Sequence, residues 1–239
     1  MTLLHRLRLL ARRAGLDVSR FRPDASTTAR LGALLAHHRI DLVIDVGASD
    51  GEFARELRLA GFRGPIVSFE PLRAAHRELT ANARADPDWR VAPRMALGER
   101  EGEATIHVAA NSRSSSLLAM LPSHVEAAPE SSAVATEVVP LWRLDGLDHL
   151  FSGASRIYLK MDTQGYEAAV LAGAQGLLPK IAGIQVELST IPLYEGQPLY
   201  GELLERLRGY GFELWGIAPG FFHPGHGRLL QFDGVFFRE

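Results

Sequence analysis

The sequence predicts an α/β protein whose mostly parallel sheet is closed by a C-terminal antiparallel hairpin. Three observations carry this. Short apolar runs at 42–46, 66–69, 91–97, 157–161 and 184–188 read as buried strands. The first three are separated by stretches of helical spacing, 52–60 and 72–85, and the fourth is followed by another near 166–174, which makes right-handed βαβ units. Two more strand-like runs, Phe212 to Ile217 and Leu229 to Phe237, are joined by Pro219, Gly220, Pro224, Gly225 and Gly227. No helix fits between them, so they pair antiparallel.

At the start of the chain, Leu3, Leu4, Leu7, Leu10 and Ala14 recur at helical spacing. Residues 1–22 carry six arginines (Arg6, Arg8, Arg12, Arg13, Arg20, Arg22) against one acid, Asp17. Such a basic amphipathic helix suits a membrane surface or an acidic partner, but also a helix packed on the domain with a solvated Arg face, which is the commoner case. With a second helix near 27–39, the expected organisation is a helical segment over 1–40 and a main domain over 41–239. A further helix fits 199–209, begun after Pro198 and ended by Gly209 and Gly211.

Composition excludes several functions. In 239 residues Lys+Arg is 26 and Asp+Glu is 28, a net charge of −2 that gives no general drive towards nucleic acid, so no nucleic-acid partner is expected. There is no Cys, hence no disulfide, no Cys-ligated zinc and no thiolate catalysis; this suits a reducing compartment, and a cytoplasmic location is the expectation. No run approaches the ~18 apolar residues of a transmembrane segment.

Residues 98–140 interrupt the alternation. Ala104 to Ala109 and Val134 to Leu141 look like strands, and 110–133 is rich in Ser, Ala and Pro. The expectation is an inserted hairpin with a mobile tip over the ligand edge; a plain surface insertion is the simpler alternative.

The most informative stretch is Asp45-Val46-Gly47-Ala48-Ser49-Asp50-Gly51, between the first strand and the first helix of the sheet. Small residues at 47, 48, 49 and 51 let the backbone turn tightly and let a ligand approach the main chain. Glu70 ends the second strand, where a carboxylate can accept hydrogen bonds from both hydroxyls of a ribose. A dinucleotide fingerprint would need Gly where Ser49 and Glu52 stand, and no Gly-Lys-Ser/Thr tripeptide exists for a phosphate loop. Asp45 and Asp50 would also repel a pyrophosphate. S-adenosylmethionine carries an ammonium and a sulfonium and no phosphate, so an acidic glycine turn suits it better.

With that turn the chain resembles the FkbM-type S-adenosylmethionine-dependent methyltransferases over roughly residues 30–239. The resemblance rests on Asp45-Val46-Gly47-Ala48, Phe69-Glu70-Pro71, Met95-Ala96-Leu97-Gly98 and Leu159-Lys160-Met161-Asp162-Thr163-Gln164-Gly165-Tyr166-Glu167. It continues through Gln185-Val186-Glu187-Leu188, Leu193-Tyr194-Glu195-Gly196, Gly227-Arg228 and Gln231-Phe232-Asp233. It implies a Rossmann-like class I methyltransferase fold and methyl transfer from S-adenosylmethionine, usually to an oxygen, often a sugar hydroxyl in a glycan or natural product. Gln164 departs from the Glu common in that family, so any role of that carboxylate is lost or moved.

Open α/β sheets bind ligands at the C-terminal ends of their strands, which sets the remaining candidates. Cofactor contacts are expected from Asp45, Gly47, Ala48, Ser49, Asp50, Gly51, Glu70 and Pro71, with Ala96 and Leu97 bordering the adenine. Asp162 and Glu187, at the ends of neighbouring strands, are the catalytic candidates: together they can share a proton, act as general base on a hydroxyl, or hold Mg²⁺. Lys160 shares a side with Asp162 and is a further candidate contact for the acceptor. Glu167 is expected to cap the following helix. Ser114 and Ser115 in the insertion, and His223 in the last loop, are candidate contacts for a small-molecule or glycan acceptor, and His223 is an alternative base. A non-catalytic S-adenosylmethionine-binding scaffold is the rival reading; it would not need a polar, open pocket at Asp162 and Glu187. The sequence leaves metal dependence and oligomeric state open.

Overall fold

A computed structural model of the chain describes residues 10, 13–15 and 26–239. The basic amphipathic segment expected over residues 1–22 therefore lies, apart from those four positions, outside the described residues.

The strands are β1 (Leu42–Val46), β2 (Ile66–Phe69), β3 (Trp89–Val91), β4 (Ala96–Leu97), β5 (Gly102–Ala109), β6 (Ala133–Trp142), β7 (Ile157–Met161), β8 (Ile181–Ser189), β9 (Glu213–Pro219) and β10 (Gln231–Phe237). The helices are α1 (Thr27–His37), α2 (Glu52–Leu59), α3 (Arg73–Ala83), α4 (Pro122–Ala127), α5 (Glu167–Ala172) and α6 (Tyr200–Gly209). Seven strands form the main sheet in the order β3-β2-β1-β7-β8-β10-β9. All neighbours are parallel except that β10 runs against both β8 and β9.

Every residue of β1, β2 and β7 is buried, which is why these strands read as unbroken apolar runs: the sheet is covered on both faces. Alternate residues feed two cores. Ile44, Leu159 and Ile184 pack on one face with Phe151 and Leu203. Val43, Ile66 and Tyr158 pack on the other with Leu35, Leu57 and Leu79. The α/β sheet with its antiparallel closure is the fold expected from the sequence.

One expectation is corrected. The run Val91 to Leu97 is not one strand: Trp89–Val91 stays in the main sheet, and after Pro93 the chain crosses so that Ala96–Leu97 pairs parallel with β6 in a separate three-stranded sheet, β4-β6-β5. The insertion holds a hairpin, β5 antiparallel to β6, whose connection is hydrogen-bonded to the loop after β8. Leu121 N–H donates to Leu193 O (2.9 Å) and Glu195 N–H to Ala119 O (2.8 Å). Met120 bridges to Tyr194, and Ala127 packs with Leu193, Tyr194 and Leu230. Residues 114–121 thus form a strap tied to the loop after β8.

Candidate active site

The turn after β1 is built on left-handed backbone at Gly47 (φ 78°), Ser49 (φ 50°) and Gly51 (φ 87°). A Cβ on Gly47 would run into the carbonyl oxygen of Asp162, so only glycine lets the end of β7 lie against the turn. Gly47 and Ala48 N–H both donate to Phe69 O (3.1 and 3.0 Å). Glu70, at the end of β2, closes the turn: Oε2 accepts from Ser49 N–H and Oε1 from Leu72 N–H, both at 2.8 Å. Burial pushes the Glu70 carboxyl up to about 7, against the two amides that hold it back. Each oxygen keeps a second lone pair for a hydroxyl donor.

Beyond this turn the strand ends line a cavity of about 500 Å³. On the β1–β2 side its wall is Gly47, Ala48, Ser49, Asp50, Glu70, Pro71, Ala96 and Leu97; on the β7–β8–β10 side it is Lys160, Asp162, Gln164, Gln185, Glu187 and Asp233. Ser112, Arg113, Ser115 and Ser116 roof it from the insertion. Seven carboxylates face it (Asp50, Glu52, Glu56, Glu70, Asp162, Glu187, Asp233) against two cations, Lys160 and Arg113.

Lys160 is buried, and its Nζ lies 3.4 Å from Asp45 Oδ1 and 3.4 Å from Asp162 Oδ2. Burial alone would lower its pKa; the carboxylates of Asp162 and Asp45 outweigh burial and raise it, so it stays an ammonium. Asp45 is fully buried behind Gly47, and its Oδ1 has the ammonium near it but no hydrogen bond.

Asp162 and Glu187 are joined by an amide. Gln164 Nε2–H₂ donates to Asp162 Oδ1 (2.9 Å) and to Glu187 Oε2 (2.8 Å). Gln231 Nε2 donates to the same Glu187 oxygen (2.6 Å). The Glu187 carboxyl is pushed well up by burial first and then by the charges of Asp162, Glu167 and Asp233. The Tyr194 hydroxyl lies 2.8 Å from Gln164 Oε1 and 2.9 Å from Ser114 O. Glu167 is buried and accepts from Thr163 N–H (2.9 Å), Thr163 O–H (3.0 Å) and Gly165 N–H (3.2 Å). It ties down the turn before α5 instead of capping that helix as expected, since the N-cap is Tyr166 and has no side-chain cap bond, and burial raises its carboxyl to about 7.

Four sequence candidates lie elsewhere. Asp45 does not line the cavity but sits beneath it as the counter-ion of Lys160. Gly51 caps α2, and a Cβ there would meet the Trp89 ring. Ser114 holds Asn111 and offers its carbonyl to Tyr194 instead of facing the cavity. His223 stacks on His226 (ring centroids 3.7 Å apart) in the β9–β10 loop, outside the lining residues, because that loop folds back on itself. Sequence reasoning assigned no role to Gln185, Tyr194, Gln231 or Asp233. Gln185 was findable, being two residues from Glu187 on the same strand face. Asp233 was findable only from register, as it stands opposite Glu187 across β8 and β10.

The donor set does not suit Mg²⁺. Among the described residues no group of three or more acids or histidines is placed to share an ion, and the space between Asp162 and Glu187 holds the Gln164 amide. It does suit S-adenosylmethionine: a main-chain cradle at Gly47, a doubly anchored carboxylate at Glu70, apolar Ala96 and Leu97, and excess negative charge.

A sheet in this order, with one reversed strand and a glycine turn facing a carboxylate at the next strand's end, is the Rossmann-like fold of class I methyltransferases. The chain belongs to the methyltransferase FkbM domain family, whose model matches residues 45–214. No curated protein matches the sequence. Among solved structures it is similar to an rRNA methylase from Streptococcus thermophilus, at 11% identity over 92% of this chain and 99% of that one, TM-score 0.48. It is also similar to the 1,6-didemethyltoxoflavin-N1-methyltransferase of Burkholderia thailandensis, solved with 1,6-didemethyltoxoflavin and S-adenosylhomocysteine, at 15% identity over 98% and 87% of the chains, TM-score 0.45. The protein is a methyltransferase.

Proposed function

We propose that this methyltransferase moves the methyl group of S-adenosylmethionine to a hydroxyl oxygen of a small molecule, a sugar, a glycan or a natural product. The observation that supports this best is the acidic lining of the cavity, seven carboxyl groups against two cations; burial pushes up Glu70, Glu187 and Asp233, and the other four still outnumber the cations. That field attracts a sulfonium and an ammonium, tolerates a neutral polyol, and repels the phosphates of a nucleic acid.

When bound, the cofactor supplies a methyl carbon already activated by its sulfonium. The Gly47–Ser49 backbone and Glu70 hold its nucleoside, and Pro71, Ala96 and Leu97 border the base. Asp162 receives the acceptor's hydroxyl proton as the oxygen–carbon bond forms and the carbon–sulfur bond breaks. Glu187 orients the acceptor beside it. Lys160 acts by holding Asp162, since its ammonium is already committed to two carboxylates. Ser115, on the roof, is placed to meet the hydroxyls of a polyol.

The test is a screen with methyl-labelled S-adenosylmethionine against polyols, amines and RNA, run beside Asp162→Asn. Label in an O-methyl group, with turnover of the variant down by ~10²–10⁴ and cofactor affinity unchanged, is the expected result. Label in RNA or on nitrogen, or near-normal turnover by the variant, would overturn it.

A further inference from the structure

The geometry points to Gln164 as a positioning residue that stands where a cation would otherwise bridge Asp162 and Glu187. This rests on the reading of Asp162 as the group that takes the acceptor's proton.

Both polar atoms of the Gln164 side chain are engaged. Its amide nitrogen gives one hydrogen to Asp162 Oδ1 and the other to Glu187 Oε2, and its Oε1 faces the Tyr194 hydroxyl. Its main-chain carbonyl accepts the Ser116 hydroxyl at 2.7 Å, so the strap seats on the same residue. The backbone is left-handed at Gln164 (φ 54°) and again at Gly165 (φ 95°), and this turn folds the side chain back between the two carboxylates. A non-glycine residue rarely adopts this conformation, and here the surrounding bonds over-determine it.

The electrostatic consequence follows from charge. Two carboxylates this close repel when both are ionised, and that repulsion is relieved by a proton kept on one of them or by a donor or cation between them. A divalent ion would do so, but it would withdraw electron density from both and leave poor proton acceptors. A neutral NH₂ holds the pair with two hydrogen bonds and keeps them basic. Gln231 supplies the second donor on Glu187, and Lys160 the cation beside Asp162, so each carboxylate has one supporting partner besides Gln164.

The experiment compares the full-length protein with Gln164→Glu and Gln164→Leu, each checked by thermal unfolding. Free Mn²⁺ is followed by electron paramagnetic resonance during titration, which needs no acceptor. Gln164→Glu places a third carboxylate between the other two and should bind Mn²⁺ at least ~10-fold more tightly than wild type or Gln164→Leu. In the methyl-transfer assay Gln164→Leu should lose at least ~10-fold in kcat and shift the acidic limb of its pH profile, while affinity for S-adenosylhomocysteine stays within ~2-fold. Wild type binding Mn²⁺ as tightly as Gln164→Glu would overturn the inference, and so would a Gln164→Leu enzyme with unchanged kcat and pH profile. Should no hydroxyl acceptor be methylated, the role given to Asp162 falls, and the Mn²⁺ contrast still decides whether Gln164 occupies a cation's place.

Discussion

Binding of S-adenosylhomocysteine should strengthen with pH between 6 and 8, and Glu70 is the reason. Its carboxyl is pushed up to about 7 by burial, with only two backbone N–H groups supporting the anion. In the free protein it is therefore about half protonated at pH 7. A folded-state pKa raised above the unfolded 4.5 means that Glu70 favours folding fully below pH 4.5, and that this support is lost as pH rises through 7. Ribose hydroxyls donating to the remaining lone pairs favour the anion and draw the pKa back down. If they return it to its ordinary value, the apparent Kd falls about tenfold from pH 6 to pH 8, and about half a proton leaves on binding at pH 7. Titration calorimetry in buffers of different ionisation enthalpy measures both quantities. Glu70→Gln is the control. It cannot accept at both oxygens, so one of the Ser49 and Leu72 amides loses its partner; affinity should fall at least tenfold and the pH dependence should vanish. A flat profile in the wild type, or the same slope in Glu70→Gln, would refute the assignment of the ribose to Glu70.

Replacing Lys160 with Met leaves Asp45 buried without a cation, at a cost of ~3–5 kcal/mol, read as a lower urea midpoint; an unchanged midpoint would mean that the pair carries no structural weight. The strap should be ordered in the free protein: the amides of Ser116, Leu121 and Glu195, all hydrogen-bonded across it, should exchange at least ~100-fold more slowly than open chain, and fast exchange that slows only with ligand would restore the mobile lid expected from composition.

The parallel strands were legible because strands covered on both faces must be apolar at every position. The reversed ending was legible because two strand runs joined by five Pro and Gly leave no room for a crossover. The split of Val91 to Leu97 was hidden: an apolar run looks the same whether it stays in one sheet or leaves it at Pro93. The strap was hidden for a different reason. Ser116, His124 and Ser131 are buried, yet their residue types read as a solvated loop. In the site, Glu70, Asp162 and Glu187 could be placed because strand ends of an open sheet are predictable from strand positions alone. The amides that hold the carboxylates could not, since Tyr194 reaches Gln164 across 30 residues and Gln231 reaches Glu187 across 44. The second pairing depends on β10 entering between β8 and β9, which no local pattern encodes.

That entry has a consequence in time. β9 precedes β10 in the chain, yet among the described residues its sheet neighbour is β10 alone, so β9 joins the sheet after the later strand has been made and inserted. During synthesis the glycine turn and Glu70 can take shape once β7 is made, since the latest part of the chain against that turn is Lys160 and Asp162. Gln231 and Asp233 arrive last, on the strand that completes the sheet, so a nascent chain could gather its methyl donor well before it could spend it.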